Sequence, residues 1–198
     1  HEPFREAKKG HYVDVISSVP TGMSFTYGNN HQYVAYIPVA HKDTDNLPVG
    51  WLKWILEQAQ NAFVPTLAHN MSFEYNVSRL RLGLELKTPW DSRLMAHACW
   101  EDDELGLKKL ASRKLDYKMA TYEETLEAAG ASDMSEITGE QVLSYGADDA
   151  IVAAHLADFC WLIQNLEGTW EFTEEYDQLF VHEQSTGFLT GINFDQER

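Results

Sequence analysis

Residues Leu143 to Ile163, LSYGADDAIVAAHLADFCWLI, decide how the chain is read. At 3.6 residues per turn, Tyr145, Asp149, Val152, Leu156, Phe159 and Ile163 fall on one stripe, while Asp148 turns about 100° away toward solvent. Asp149 therefore points where a core is expected. A carboxylate there needs a cation, a set of donors or a proton, because burying it unpaired costs on the order of several kcal/mol. Tyr145 places a hydroxyl one turn earlier on the same face. Two readings stay open on these residues alone: a buried Asp hydrogen-bonded to a neighbouring loop, and a metal ligand with a positioned hydroxyl beside it. A second inward carboxylate would favour the second.

Upstream, Phe63 to Ala68 (FVPTLA) reads as a short apolar strand that runs through His69-Asn70 into a helix from Met71 to Leu82. That helix puts Asn70, Phe73, Glu74, Val77 and Leu80 on one face. Glu74 supplies the second inward carboxylate, just past a strand's C-terminal end, where ligand sites form in open α/β folds. Two strand patterns precede it, Gly22 to Tyr27 and Gln32 to Val39, joined by Gly28-Asn29-Asn30-His31 as an antiparallel hairpin. The three strands are expected to share one mixed sheet. Val49 to Asn61 has helical spacing, residues 1–20 read mostly as loop with a possible strand at Tyr12 to Ile16, and Lys87 to Trp90 reads as a short strand. Asp91 is placed as N-cap of a helix Ser92 to Trp100. Helices at Leu107 to Leu115 and Tyr122 to Ala129 follow, the latter ended by Gly130. The acidic run Glu101 to Glu104 reads as a solvated loop, Trp170 to Ser185 as a helix, and Gly187 to Asp195 as an extended turn.

Composition narrows the function. The 198 residues are 44% apolar, enough for one buried domain with a C-terminal extension. A formal charge of −16 argues against a broad basic surface for duplex nucleic acid, since that affinity comes from Lys and Arg neutralising phosphates. A strand-end site where divalent metals supply the positive charge remains open. No apolar run reaches a membrane-spanning length, and no signal-peptide pattern opens the chain, so a cytoplasmic setting is expected. Cys99 and Cys160 sit far apart in separate helical patterns, as reduced core cysteines would. His11, His31, His41, His97, His155 and His182 show no ligand spacing, and His69 is expected to pack or hydrogen-bond locally.

On these motifs the chain resembles the 3′–5′ proofreading exonuclease domain of family A DNA polymerases, a DnaQ-like, RNase H-like α/β fold with a mixed β-sheet flanked by helices. YVAYIPVAHKD resembles that family's second and third strands, AHNMSFEYNVSRL its second exonuclease motif, DELGLKKLASRKL with TYEETL its connecting helices, and YGADDA its third motif, Tyr-x-x-x-Asp of the tyrosine subclass. FVHEQSTGFLTGINFD resembles the passage into a polymerase thumb. The implied organisation is an exonuclease domain over residues 1–167 and a helical connection over 168–198.

The resemblance implies that Asp149 and Glu74 are metal ligands and that Tyr145 orients the attacking water. Asn70, Phe73 and Tyr122 become substrate-binding residues, with Tyr122 packing on unpaired 3′ bases. Mg²⁺ or Mn²⁺ in a two-metal site is the implied cofactor, the 3′ end of single-stranded DNA the substrate, and the polymerase domain of the same parent chain the partner, in phage or bacterial replication. Glu74 stands where the family more often has Asp. The first motif, Asp-x-Glu-Thr, is absent. HEPFRE resembles the turn after it, so the motif is expected a few residues upstream of His1, and the chain as written is expected to be a weak or inactive nuclease. An RNase D-like RNA exonuclease and a non-catalytic scaffold beside a polymerase are the rival readings.

Overall fold

The computed structural model describes residues 15–16 and 19–190. A hairpin of β1 (Gly22–Tyr27) and β2 (Tyr33–Pro38) comes first, antiparallel, with Met23 opposite Ile37 and Tyr27 opposite Tyr33. Gly28 takes φ +88°, and a Cβ there would meet the Tyr33 ring at 2.8 Å, so the turn depends on glycine at that position. Helix α1 (Gly50–Asn61) leads to β3 (Thr66–Ala68) and α2 (Met71–Val77), then to β4 (Pro89–Asp91) and α3 (Ser92–Cys99). Helices α4 (Leu107–Lys114), α5 (Tyr122–Ala129), α6 (Gly139–Glu167), α7 (Trp170–Phe172) and α8 (Gln178–Thr190) complete the described chain, among whose residues no helix is long and apolar enough to cross a membrane.

Helix α6 is the axis of the molecule. Thr138 and Gln141 form a reciprocal capping box at its start, and Gly168 in the left-handed region ends it. Gly146 lets it lie close against the hairpin, since a Cβ there would come within 3.3–3.4 Å of Ser24 and Tyr36. His41 ties the same two elements together: its Nδ1–H donates to the Ile137 carbonyl at 2.9 Å, and its Nε2 accepts from the Tyr36 hydroxyl at 2.5 Å. Further along, Leu156, Ala157 and Cys160 pack with Met95, Ala96 and Leu110 in the main core. Burying side chains of this size stabilises the fold by about 1.5–3 kcal/mol each for the larger ones.

Several expectations need correction. Strand β3 is confined to residues 66–68 and pairs in parallel with β4, Ala68 beside Asp91, so the described strands form two two-stranded sheets rather than one. Local pattern identifies strands, but long-range pairing chooses their partners. The buried stripe of α2 is Met71 and Tyr75, which pack with Leu86 and Val181, and not the face carrying Asn70, Phe73 and Glu74. Both stripes have helical spacing, and the docking of α8 selects between them. On α6, Val152 and Leu156 of the expected stripe are buried, but Phe159 is 37% exposed, and the buried face also takes in Val142, Gly146, Ala153, Ala157, Cys160 and Gln164.

Beyond residue 167 the chain folds back onto the body. Gln178 and Val181 are buried, and α8 continues through Gly187 to Thr190 where an extended turn was expected. The acidic run is also not simply solvated: Asp103 pairs with Lys114 at 2.7 Å and with Arg113 at 3.3 Å, and Glu104 pairs with Arg113. Of the expected strand at Tyr12 to Ile16, Val15 and Ile16 form a turn and the remainder lies outside the described residues, as do the HEPFRE segment and residues 191–195.

Candidate active site

Two parallel strands end side by side at Ala68 and Asp91, and each passes directly into a helix. Asn70 makes the first of these turns in the left-handed region (φ 70°, ψ 51°), a conformation Asn tolerates better than most residues. Asp91 is 3% exposed and serves both helices. Its Oδ1 accepts from the backbone N–H of Asn70 at 2.9 Å and of Arg93 at 2.7 Å, and its Oδ2 from that of Met71 at 2.9 Å. The expected N-cap role on α3 holds, and the same carboxylate also seats the N-terminus of α2. Gln178 of α8 closes the arrangement, its Oε1 accepting from the Asp91 N–H at 2.6 Å.

His69 lies beside this hub. Its Nε2–H donates to the Leu105 carbonyl at 2.7 Å, which leaves Nδ1 to accept from the Ser92 hydroxyl at 3.0 Å. Burial holds its pKa below the ordinary range, so it stays neutral and structural. Asn70 presents an exposed side chain whose Oδ1 accepts from Arg93 at 3.4 Å, and Phe73 is half-buried next to it.

Glu74 behaves differently from Asp91. Part of its side chain meets solvent, yet the protein around its carboxyl removes enough hydration to push the pKa up to about 8. The charges of Asp91 and Asp149 push in the same direction, and only its own backbone N–H opposes them. Glu74 is thus an acid with two like charges in range and, among the described residues, no Lys or Arg paired with it.

Asp149 approaches Glu74 from α6. It is half-buried, and the Tyr145 phenol one turn earlier interacts electrostatically with its carboxylate. Burial raises the Asp149 pKa against the pull of the Lys108 ammonium and of Tyr145. Burial and the Asp149 charge in turn hold the Tyr145 phenol far above its ordinary range, so it is a hydrogen-bond donor at any working pH. The Lys108 Nζ stands 4.5 Å from the Tyr145 ring centroid, a cation–π contact that fixes the ring. Tyr122, at the first position of α5, is 38% exposed and close enough to Tyr145 to influence it. Between α5 and α6 runs an open groove lined by Thr125, Ala128, Ala129, Gln141, Ser144 and Tyr145.

The structure thus brings Asp149 into electrostatic range of both Glu74 and Tyr145, with Asn70 and Phe73 beside Glu74 on the same strand-to-helix segment and Tyr122 near Tyr145. Sequence reasoning missed Lys108, which no periodicity singles out, and it missed the double role of Asp91. The parallel pairing of two strands that each enter a helix was the signal for the latter. Asp148, expected in solvent, is half-buried and accepts from the Tyr117 hydroxyl at 2.9 Å. The donor set suits a hard cation: Glu74 and Asp149 carry oxygen donors whose charges repel each other, and among the described residues neither forms an ion pair with Lys or Arg.

No curated protein matches the chain at a significant level. Among solved structures, Brucella melitensis NrnC with bound Mg²⁺ is similar at 17% identity and a TM-score of 0.61, over 83% of this chain and 75% of that one. Brucella melitensis NrnC without that description gives 18% identity, a TM-score of 0.62 and coverage of 83% and 76%. The same protein bound to pGG gives 17% identity and 0.61, over 89% and 88%. At such identities the likeness establishes the fold, an α/β RNase H-like arrangement. A family model described as 3′–5′ exonuclease matches residues 11–164, which include α2, α5 and nearly all of α6. The chain belongs to the 3′–5′ exonuclease family.

Proposed function

We propose that the protein removes nucleotides one at a time from the 3′ end of single-stranded DNA, as the proofreading domain of a family A DNA polymerase, with residues 168–198 leading toward the polymerase. The observation that carries this is the placing of Tyr145 and Asp149 one turn apart on α6, with Glu74 of α2 inside the field of Asp149. Glu74 and Asp149 would hold Mg²⁺ or Mn²⁺. When bound, a pair of such cations supplies Lewis-acid activation of water and neutralises charge on the scissile phosphate.

The protein's own groups do the rest. Tyr145, held as a phenol, uses its hydroxyl to position a water beside Asp149. Lys108 keeps the Tyr145 ring in place and offsets part of the acid cluster's charge. The exposed ring of Tyr122 and the apolar walls of the α5–α6 groove offer a stacking surface for an unpaired base, which suits single strands without demanding a particular sequence. Asn70 and Phe73 border the path of the terminal nucleotide. The remaining pair of acids implied by the first motif belongs, in this reading, to residues outside those described, and the described residues alone hydrolyse weakly.

A second reading has one observation in its favour. Similarity to NrnC bound to pGG extends over 88% of that protein, so a short oligonucleotide or RNA end is the competing substrate. The test uses a 3′-labelled single-stranded DNA and pGG side by side in Mg²⁺ and in Mn²⁺, on this chain and on its parent chain including whatever precedes His1. Stepwise shortening of the DNA by the parent chain, lost on Asp149→Asn, is expected. Cleavage of pGG but not of DNA favours the second reading. Absence of metal-dependent cleavage of either substrate by the parent chain sinks both and leaves a scaffold.

A further inference from the structure

Around α6 from the acids lies a second group of ligand-type side chains. His155 and Asp158 stand three residues apart and project from one face of the helix. The hairpin turn brings His31 over them. His31 Nε2 is 2.8 Å from Asp158 Oδ2, the His31 and His155 rings meet edge to face at 5.2 Å, and one ligand atom from each of the three residues lies within 4.8 Å of the others. His31 is half-buried, while His155 and Asp158 are open to solvent. Nine residues separate Asp149 from Asp158, which is about 13 Å along the axis and half a revolution around it. The two groups therefore face different sides of α6.

We propose that His31, His155 and Asp158 form a binding site for a borderline transition-metal ion, Zn²⁺ in the first instance. Two imidazole nitrogens and one carboxylate are the donors that Zn²⁺ takes, and imidazole discriminates strongly against Mg²⁺. Tetrahedral coordination with bonds near 2.0–2.2 Å needs ligand atoms about 3.3 Å apart. The present spacing brackets that value: the His31–Asp158 pair must open slightly and the widest separation must close, both within reach of exposed side chains. Three protein ligands leave a fourth position for water. The backbone is already arranged for it, because Asn30 and His31 both lie in the left-handed region (φ 57° and 53°), and this turn aims His31 back at the helix. An ion here joins the hairpin to α6 through side chains far apart in sequence. It binds the folded chain and not the unfolded one, so it stabilises the fold by mass action.

The site calls for Zn²⁺ titration of the full chain in excess Mg²⁺, followed by calorimetry and thermal melting, with Co²⁺ as a spectroscopic substitute. Expected are one Zn²⁺ equivalent that Mg²⁺ does not displace, visible ligand-field bands of low-symmetry Co²⁺, and a Tm increase of roughly 5 °C or more at a hundredfold excess over Kd. His155→Ala and Asp158→Asn should each weaken Zn²⁺ at least about tenfold and abolish the Tm increase, with the metal-free Tm unchanged. Glu74→Gln with Asp149→Asn should leave Zn²⁺ binding intact, which separates this site from the acids. If His155→Ala misfolds, Asp158→Asn decides alone, since it removes one ligand and keeps shape. Overturning results are the absence of Zn²⁺ binding under excess Mg²⁺, or Zn²⁺ binding that the His155 and Asp158 variants leave unchanged.

Discussion

Asp91 and Glu74 stand near each other, Asp91 at the end of β4 and Glu74 one turn into α2, and they use their charge in opposite ways. Asp91 is 3% exposed and accepts three backbone N–H groups from two helix starts. Glu74 has no such donors beyond its own backbone, and loss of hydration around its carboxyl, with the charges of Asp91 and Asp149 adding to it, lifts its pKa to about 8. One carboxylate has its needs met by the fold, whereas the other is left with needs that only a proton or a cation can meet. The two acids differ in exposure as well, Asp91 sealed in and Glu74 open to solvent, and the census of donors tells which of them the fold has satisfied.

The contrast breaks most visibly at the unsatisfied pair. Glu74→Gln combined with Asp149→Asn should lower cleavage by the parent chain by about 10³-fold or more, roughly 4 kcal/mol of barrier, without lowering Tm, because a repelling pair is removed. A fall in Tm comparable to that of an Asp91 variant would place these acids among the structural ones. Next in size, Asp91→Ala should cost about 3 kcal/mol or more in urea unfolding, since three N–H donors lose their acceptor at once. Unchanged stability would mean that water replaces the carboxylate at both helix starts.

A smaller effect belongs to Tyr145→Phe, which keeps the ring and its contact with Lys108 but loses the hydroxyl. Single-turnover cleavage should slow by about 10²-fold or less with no change in Tm. An unchanged rate would remove Tyr145 from water positioning. The smallest effect is on pH dependence. Glu74 binds its proton more tightly in the folded chain than in the unfolded one, so between its ordinary value of 4.5 and about 8 the native state holds more protons. Metal-free stability should therefore decline as pH rises through that window. Added Mg²⁺ or Glu74→Gln should flatten the decline, and a metal-free profile that rises there would contradict the crowding described for this acid.

Much of the local structure was legible because its causes are local. The i, i+4 spacing of Tyr145 and Asp149 sets them beside each other inside one helix, the span Tyr122–Ala129 with Gly130 behind it is as the sequence marks it, and the glycine-asparagine turn closes the hairpin as expected. The order of these motifs also carried the exonuclease resemblance, which the family match over residues 11–164 supports. Glu74 is the instructive case. Helical spacing put it on an apolar stripe, yet Met71 and Tyr75 hold that place, because Val181 of α8 docks against them from more than a hundred residues away.

The chain by itself marked where most helices and turns form, which residues carry oxygen donors, and that a net charge of −16 argues against a broad phosphate-binding face. Those properties depend on neighbours within a few residues or on composition. Only the tertiary structure decided which strands pair, which of two adjacent acids is saturated with donors, and that His31 meets His155 and Asp158. Each of these depends on groups brought together from distant parts of the chain, where no periodicity records the distance and packing alone selects the partner.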